Sequence, residues 1–176
     1  MNRYGERIDK SALRFERLLP GPIERVWSYL VDPELRATWF CGGPFDLKPG
    51  GKAVFAFDHR NITDEKPPEK YKDHGAEIEF MGTILKAEPP HRLIFDWPEG
   101  EGEPTVVEIA LTAEGDKVRL TLTHAKIPTT DYMANVSGGW HLHFDLLEAL
   151  LSGAPRTPFW SAILDLEKEY EKRHGA

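Results

Sequence analysis

The stretch SGGWHLHFDLLEALLS, residues 137–152, decides the fold. Trp140, Phe144, Leu147, Leu150 and Leu151 recur at three and four residues, the period of one helical face. Asn135 or Ser137 can cap this helix, and Gly153 can close it, because glycine readily adopts the left-handed conformation at a helix end. The apolar stripe must lie on something, and the residues before it supply the surface. Thr105 to Thr112 and Val118 to His124 alternate apolar and polar residues around Glu114-Gly115-Asp116, as the strands of a tight hairpin do. Val107, Ile109 and Leu111 then share a face with Val118, Leu120, Leu122 and His124.

The same alternation extends back along the chain. Glu77 to Ala87 and Arg92 to Trp97 form a hairpin across Pro89-Pro90-His91, with Leu93, Phe95 and Trp97 on one side. A Gly- and Glu-rich turn at Glu99 to Glu103 leads out of it. Lys52 to Asp58 sets Ala53, Phe55 and Phe57 against Val54 and Ala56. Between these segments, His59 to Gly75 carries charge, breakers and little periodicity, which predicts a long exposed loop or a mobile flap.

The chain opens with a strand from Ser11 to Leu19, Leu13, Phe15, Arg17 and Leu19 facing one way, stopped by Gly21-Pro22. Ile23, Val26, Trp27, Leu30 and Val31 form one face of a first short helix, and Asp32-Pro33 reads as the cap and first-turn proline of a second, running to Phe40. Beyond Pro155 and Pro158, Phe159 to Arg173 is amphipathic, apolar at Phe159, Ile163, Leu166 and Tyr170, and reads as a packing extension. This order predicts an α+β fold: a six-stranded curved antiparallel sheet wrapped around a long C-terminal helix, with two short helices after the first strand and an extra C-terminal helix.

Length and composition set bounds on function. A chain of 176 residues suits a single domain, 1–176, with a core of about 12–153 and a helical extension at 154–176. A net charge of −7 and the lack of a basic stripe argue against nucleic acid, whose phosphates draw affinity from clustered Lys and Arg. No window is long and apolar enough for a membrane span, and the polar start is unlike a signal peptide, so no membrane partner and a cytoplasmic location are expected. Cys41 is the sole cysteine, so neither an intrachain disulfide nor a thiolate zinc cluster can form.

Several motifs then point to one family. These are Glu16-Arg17, Pro22 to Val26-Trp27, Asp32-Pro33-Glu34, Trp39, Pro49-Gly50-Gly51, Pro89-Pro90-His91-Arg92-Leu93, Asp96-Trp97, Leu122-Thr123-His124, and Gly138-Gly139-Trp140 with Leu146-Leu147. In this order and spacing, over roughly residues 12 to 153, the chain resembles the SRPBCC superfamily (START, Bet v-like and polyketide-cyclase domains), in the branch of homologues of the activator of the heat-shock protein 90 ATPase. The resemblance implies a helix-grip fold with a cavity between the sheet and the last core helix. It implies no single chemistry, since the family spans binding proteins, cyclases and stress-related proteins. The 59–75 segment and the helix after Pro158 depart from the shared pattern, and both can alter the mouth of the pocket.

Candidate site residues follow from the inward faces. Trp39, Phe55, Phe57, Phe80, Phe95, Trp97 and Trp140 are predicted to point inward, where branched aliphatics would fill a curled sheet more densely, and flat rings commonly line a ligand cavity. His124 belongs to the inward set of its strand, where the favoured reading is a satisfied structural histidine and the other a neutral imidazole offering one hydrogen bond into the chamber. His143 falls on the Trp140 stripe and faces the cavity, whereas His141 sits with Asp145 on the other side; two positions apart on a helix diverge by about 200°, so the pair is a poor metal site.

The first expectation is therefore a binding module for a small hydrophobic or aromatic molecule, oriented by His124 or His143, without cofactor or metal. An alternative is a cofactor-independent cyclase, dehydratase or hydrolase using His124 and His143 as acid and base, which requires a second polar group from among Arg17, Glu77, Glu79 and Asp96. A co-chaperone-like activator of a heat-shock protein 90 ATPase is a further alternative implied by the resemblance, and a homodimer is compatible with the sequence.

Overall fold

In the computed structural model, which describes residues 2–98 and 102–175, a two-residue strand β1 (Glu6–Arg7) pairs antiparallel with β2 (Leu13–Pro20). The alternation read in β2 is realised, with Leu13, Phe15, Arg17 and Leu19 all buried. Helices α1 (Ile23–Val31) and α2 (Pro33–Ala37) follow, and Asp32 caps the second by accepting from the amides of Glu34 and Leu35 at 2.9 and 3.0 Å. Then come β3 (Gly51–Phe57), β4 (Ile78–Glu88), β5 (Arg92–Trp97), β6 (Thr105–Glu114), β7 (Lys117–Ala125), α3 (Thr130–Ser152) and α4 (Trp160–His174). The turn expected at Glu99 to Glu103 falls partly on positions 99–101, outside the described residues.

The described strands form one curved, open antiparallel sheet in the order β1-β2-β7-β6-β5-β4-β3. It has seven strands rather than the expected six. The extra one is β1, whose Glu6 and Arg7 are both exposed and so carry no burial alternation. The sheet curls around α3, which begins well before the expected cap: Thr129 accepts from the Tyr132 amide at 3.1 Å, and helix occupies most of the loop foreseen at Ile127 to Asn135. Gly153, at φ 70°, ends α3 as read.

Helix α3 is buried on two sides, against the sheet at Phe144 and Leu147 and against α4 at Ser137 and Gly138. A side chain at Gly138 would lie 3.3 Å from Glu167 Cγ and 3.4 Å from Ile163 Cδ1, so the glycine permits the close approach of α4. The buried positions of α4 are Trp160, Ile163, Glu167, Tyr170 and His174, with the expected Leu166 half-buried at the margin of that face. Each large apolar side chain so buried contributes about 1.5–3 kcal/mol relative to exposure. The N-terminal segment crosses the two helices: Arg3 pairs with Asp145 and Glu148 at 2.8 and 2.9 Å, and the Gly5 amide donates to the Tyr170 hydroxyl at 2.9 Å.

Much of the segment from His59 to Gly75 is exposed, as expected, and it is tied to α3 and α4 at a few points. It contains two short 3-10 turns, His59–Asn61 and Glu69–Gly75. Glu65 accepts from the amides of Phe159 and Ser161 at 2.8 and 3.3 Å, capping α4, whose own N-cap Phe159 offers no side-chain acceptor. Buried Glu167 accepts from Lys70 at 2.8 Å, from Asn135 at 2.9 Å and from the Tyr71 hydroxyl. No helix among the described residues is long and apolar enough to cross a membrane.

Candidate functional site

A cavity of about 130 Å³ lies between the concave sheet, α3 and α4. The sheet contributes Phe57, Phe80 and Trp97; α3 contributes Gly139, Trp140 and His143. Phe40 stacks on Trp140 at 5.0 Å and on Trp97 at 5.8 Å, so three rings form a continuous wall. The opposite wall comes from the docked segment and the added helix: His59, Tyr71, His74, Phe159 and Trp160. His59 packs against Trp160 with ring centroids 4.7 Å apart.

Of the residues singled out in the sequence, Phe57, Phe80, Trp97, His124, Trp140 and His143 line this cavity, while Trp39, Phe55 and Phe95 do not. Trp39 lies behind Phe40, stacked on it at 5.3 Å, with its indole N–H donating to the Tyr29 carbonyl at 2.9 Å. Phe55 and Phe95 share the inward face, but Phe45 packs on both, at 5.3 and 6.0 Å, and makes that end of the sheet solid core. Phe40, His59, Tyr71, His74 and Trp160 were not foreseen. His59, Tyr71 and His74 lie in a segment without period, and Phe40 and Trp160 at the end of one predicted helix and the start of another, where a periodic stripe fixes no direction.

The two inward histidines differ in what they can still do. An indole N–H only donates, so Trp140 Nε1, 3.2 Å from His124 Nδ1, makes that nitrogen an acceptor. The ring proton is then on Nε2, donated to Thr105 Oγ1 at 2.7 Å, and Thr105 passes its own proton to the Trp97 carbonyl at 3.2 Å. Both nitrogens of His124 are committed. His143 donates Nδ1–H to the Trp39 carbonyl at 2.7 Å, which leaves Nε2 as an acceptor. Burial pushes the pKa of both rings down to about 3, and that of His59 to about 4, so all three are neutral near pH 7.

The charged candidates sit elsewhere. Arg17 is buried beside Asp145 at 3.4 Å, Glu77 is exposed, and Asp96 accepts from the Thr83 amide at 2.6 Å. His141 lies on the far side of α3, its Nδ1 2.9 Å from the Tyr170 hydroxyl and its Nε2 3.5 Å from Asp145. Among the described residues, no group of three His, Cys, Asp or Glu side chains is placed to hold a metal ion. Cys41 is buried, and burial pushes its thiol up to about 12, which makes it a structural residue and not a nucleophile.

Comparison with known proteins places this geometry. Residues 20–152 match the family model described as Activator of Hsp90 ATPase homolog 1-like protein. The solution NMR structure of the protein encoded by gene BPP1335 from Bordetella parapertussis is 41% identical, with a TM-score of 0.85, over 97% of this chain and 90% of that one. The crystal structure of CalU16 from Micromonospora echinospora is 25% identical with a TM-score of 0.68, over 94% and 89%. DynU16, a protein in the dynemicin biosynthetic locus, shares the fold at 23% identity and a TM-score of 0.65, over 86% of this chain and 51% of that one. No curated protein matches the sequence.

Proposed function

Because the chain belongs to the Activator of Hsp90 ATPase homolog 1-like family, a branch of the SRPBCC superfamily, we propose that it holds a small, largely apolar aromatic molecule in the cavity between sheet, α3 and α4. The observation that carries this reading is Gly139. A glycine inside a helix costs about 1 kcal/mol relative to alanine. Yet Gly139 lies in α3 facing the cavity, and a side chain there would meet nothing within 4 Å. The sequence thus leaves space where a methyl group would both fit and stabilise. The volume is close to that of an apolar cavity that admits one benzene ring, about 150 Å³.

The lining favours holding over turnover. Acid–base catalysis asks for groups that take up and release a proton near the working pH, whereas burial keeps His59, His124 and His143 neutral there. The nitrogens of His124 are occupied by Trp140 and Thr105, and the lining includes neither a carboxylate nor an arginine among the described residues. Binding is read directly, since Trp97, Trp140 and Trp160 line the cavity. Titration with single-ring and fused-ring aromatics should quench tryptophan fluorescence saturably and raise the melting temperature, as linkage requires for a ligand of the native state. A panel that produces neither effect refutes the reading.

A further inference from the structure

We infer that the molecule held in this cavity carries an uncharged hydroxyl on its aromatic ring, and that His59 Nδ1 accepts the hydroxyl proton. This rests on the cavity reading above and adds the polarity of the ligand to it. His59 is 8% exposed and lines the cavity, and its Nδ1 is buried with no hydrogen-bond partner in the protein. Its ring also lies beside the backbone of His74. A neutral imidazole has one N–H and one lone pair, and in the tautomer that protonates Nε2 the lone pair is on Nδ1. A buried acceptor left unsatisfied costs about 1–3 kcal/mol, so such an atom on a cavity-lining ring marks a place where a ligand donor is expected.

Two neighbours define the rest of the group. His74 also lines the cavity, its ring 6.2 Å from that of His59, and its Nδ1 is buried without a partner. In the tautomer that protonates Nδ1, His74 donates to the same oxygen whose proton His59 takes, and a hydroxyl is satisfied on both sides. His143, 6.1 Å from His59 between centroids, presents a second neutral acceptor at Nε2. The arrangement disfavours an anion. Burial keeps His59 and His143 uncharged near neutral pH, and among the described residues the lining has no lysine or arginine to pair with a carboxylate.

Three single-ring probes separate the possibilities by calorimetric or NMR titration of the full chain: p-cresol, toluene and 4-methylbenzoate. The expected result is p-cresol about tenfold tighter than toluene, the worth of one well-placed neutral hydrogen bond, and 4-methylbenzoate weakest. His59→Phe should bring p-cresol down to the level of toluene while toluene keeps its affinity. Because that variant can perturb packing, a second readout uses the unaltered protein: the 15N resonance of His59 Nδ1 should shift on adding p-cresol and stay unmoved on adding toluene. Equal binding of p-cresol and toluene, or tightest binding of the carboxylate, overturns the hydroxyl inference while leaving the cavity reading intact. If none of the three binds, the cavity reading fails and takes this inference with it.

Discussion

His143 Nδ1 and the carbonyl oxygen of Trp39 lie 2.7 Å apart across 104 residues of sequence, joining the centre of α3 to the turn that follows α2. This one bond fixes the tautomer of His143 and anchors the backbone that carries Phe40 into the cavity wall. The same principle, a buried polar group fixed by backbone, recurs in the features that can be tested.

Two adjacent glycines should respond oppositely to size. Gly139→Ala enters open space and removes a helix-interior glycine, so it should raise stability by about 0.5–1 kcal/mol in urea denaturation. Gly139→Leu should preserve the helical circular dichroism and abolish aromatic binding by filling the chamber. Gly138→Ala should gain less than Gly139→Ala, because its methyl meets Glu167 Cγ at 3.3 Å and Ile163 Cδ1 at 3.4 Å. Binding that survives Gly139→Leu would place the ligand elsewhere.

Acid should weaken the fold beginning near pH 6.5. Burial lowers His59 to about 4 and His124 and His143 to about 3, so between those values and 6.5 the unfolded chain holds more protons than the folded one. Stability is complete above the unfolded value and falls as pH drops, by up to about 1.4 kcal/mol per pH unit for each ring. Urea midpoints measured from pH 8 to pH 5 should be level at first and then decline steeply. A level profile down to pH 5 would contradict the neutral burial of these rings.

How much of this was legible in the sequence depends on the kind of signal. Asp32-Pro33 and the alternation of Leu13, Phe15, Arg17 and Leu19 are local patterns with local causes, and both are realised. The start of α3 is missed because the segment opens with the polar run Thr129-Thr130-Asp131, although buried Met133 and Val136 extend the stripe of Trp140 and Phe144 back toward the true cap, Thr129. Likewise the burial of Glu167 beside half-buried Leu166 had no local sign, since its partners Lys70 and Tyr71 lie about a hundred residues away. Half of the cavity wall is assembled by such long-range contacts, and periodicity contains no information about them.

Arg36 should prove one of the most sensitive positions outside the cavity. Its buried guanidinium donates to the carbonyls of Leu30, Val31, Cys41, Gly42 and Gly43 and lies 3.6 Å over the Phe45 ring. Arg36→Ala strips every one of these acceptors and should cost about 3–5 kcal/mol. Arg36→Lys should recover only a small part, because an ammonium cannot reproduce the planar fork. An Arg36→Ala midpoint within 1 M urea of the parent protein would contradict this account.

Glu167 should govern how firmly the 59–75 segment is held. Glu167→Ala removes the common acceptor of Lys70, Tyr71 and Asn135, at a cost of about 2–3 kcal/mol for hydrogen bonds to a charged group. Limited proteolysis should then cut within residues 59–75 faster than in the parent protein, while cleavage elsewhere stays unchanged. Uniform acceleration along the chain would indicate global loosening instead.

The position of α4 separates one wall of the chamber from its frame. The family match spans 20–152, whereas Phe159, Trp160 and Ile163 close one side of the chamber from beyond it. Replacing that helix would reshape one side of the chamber while the sheet and α3 kept their places. Exchanging C-terminal helices between relatives is the engineering form of that separation.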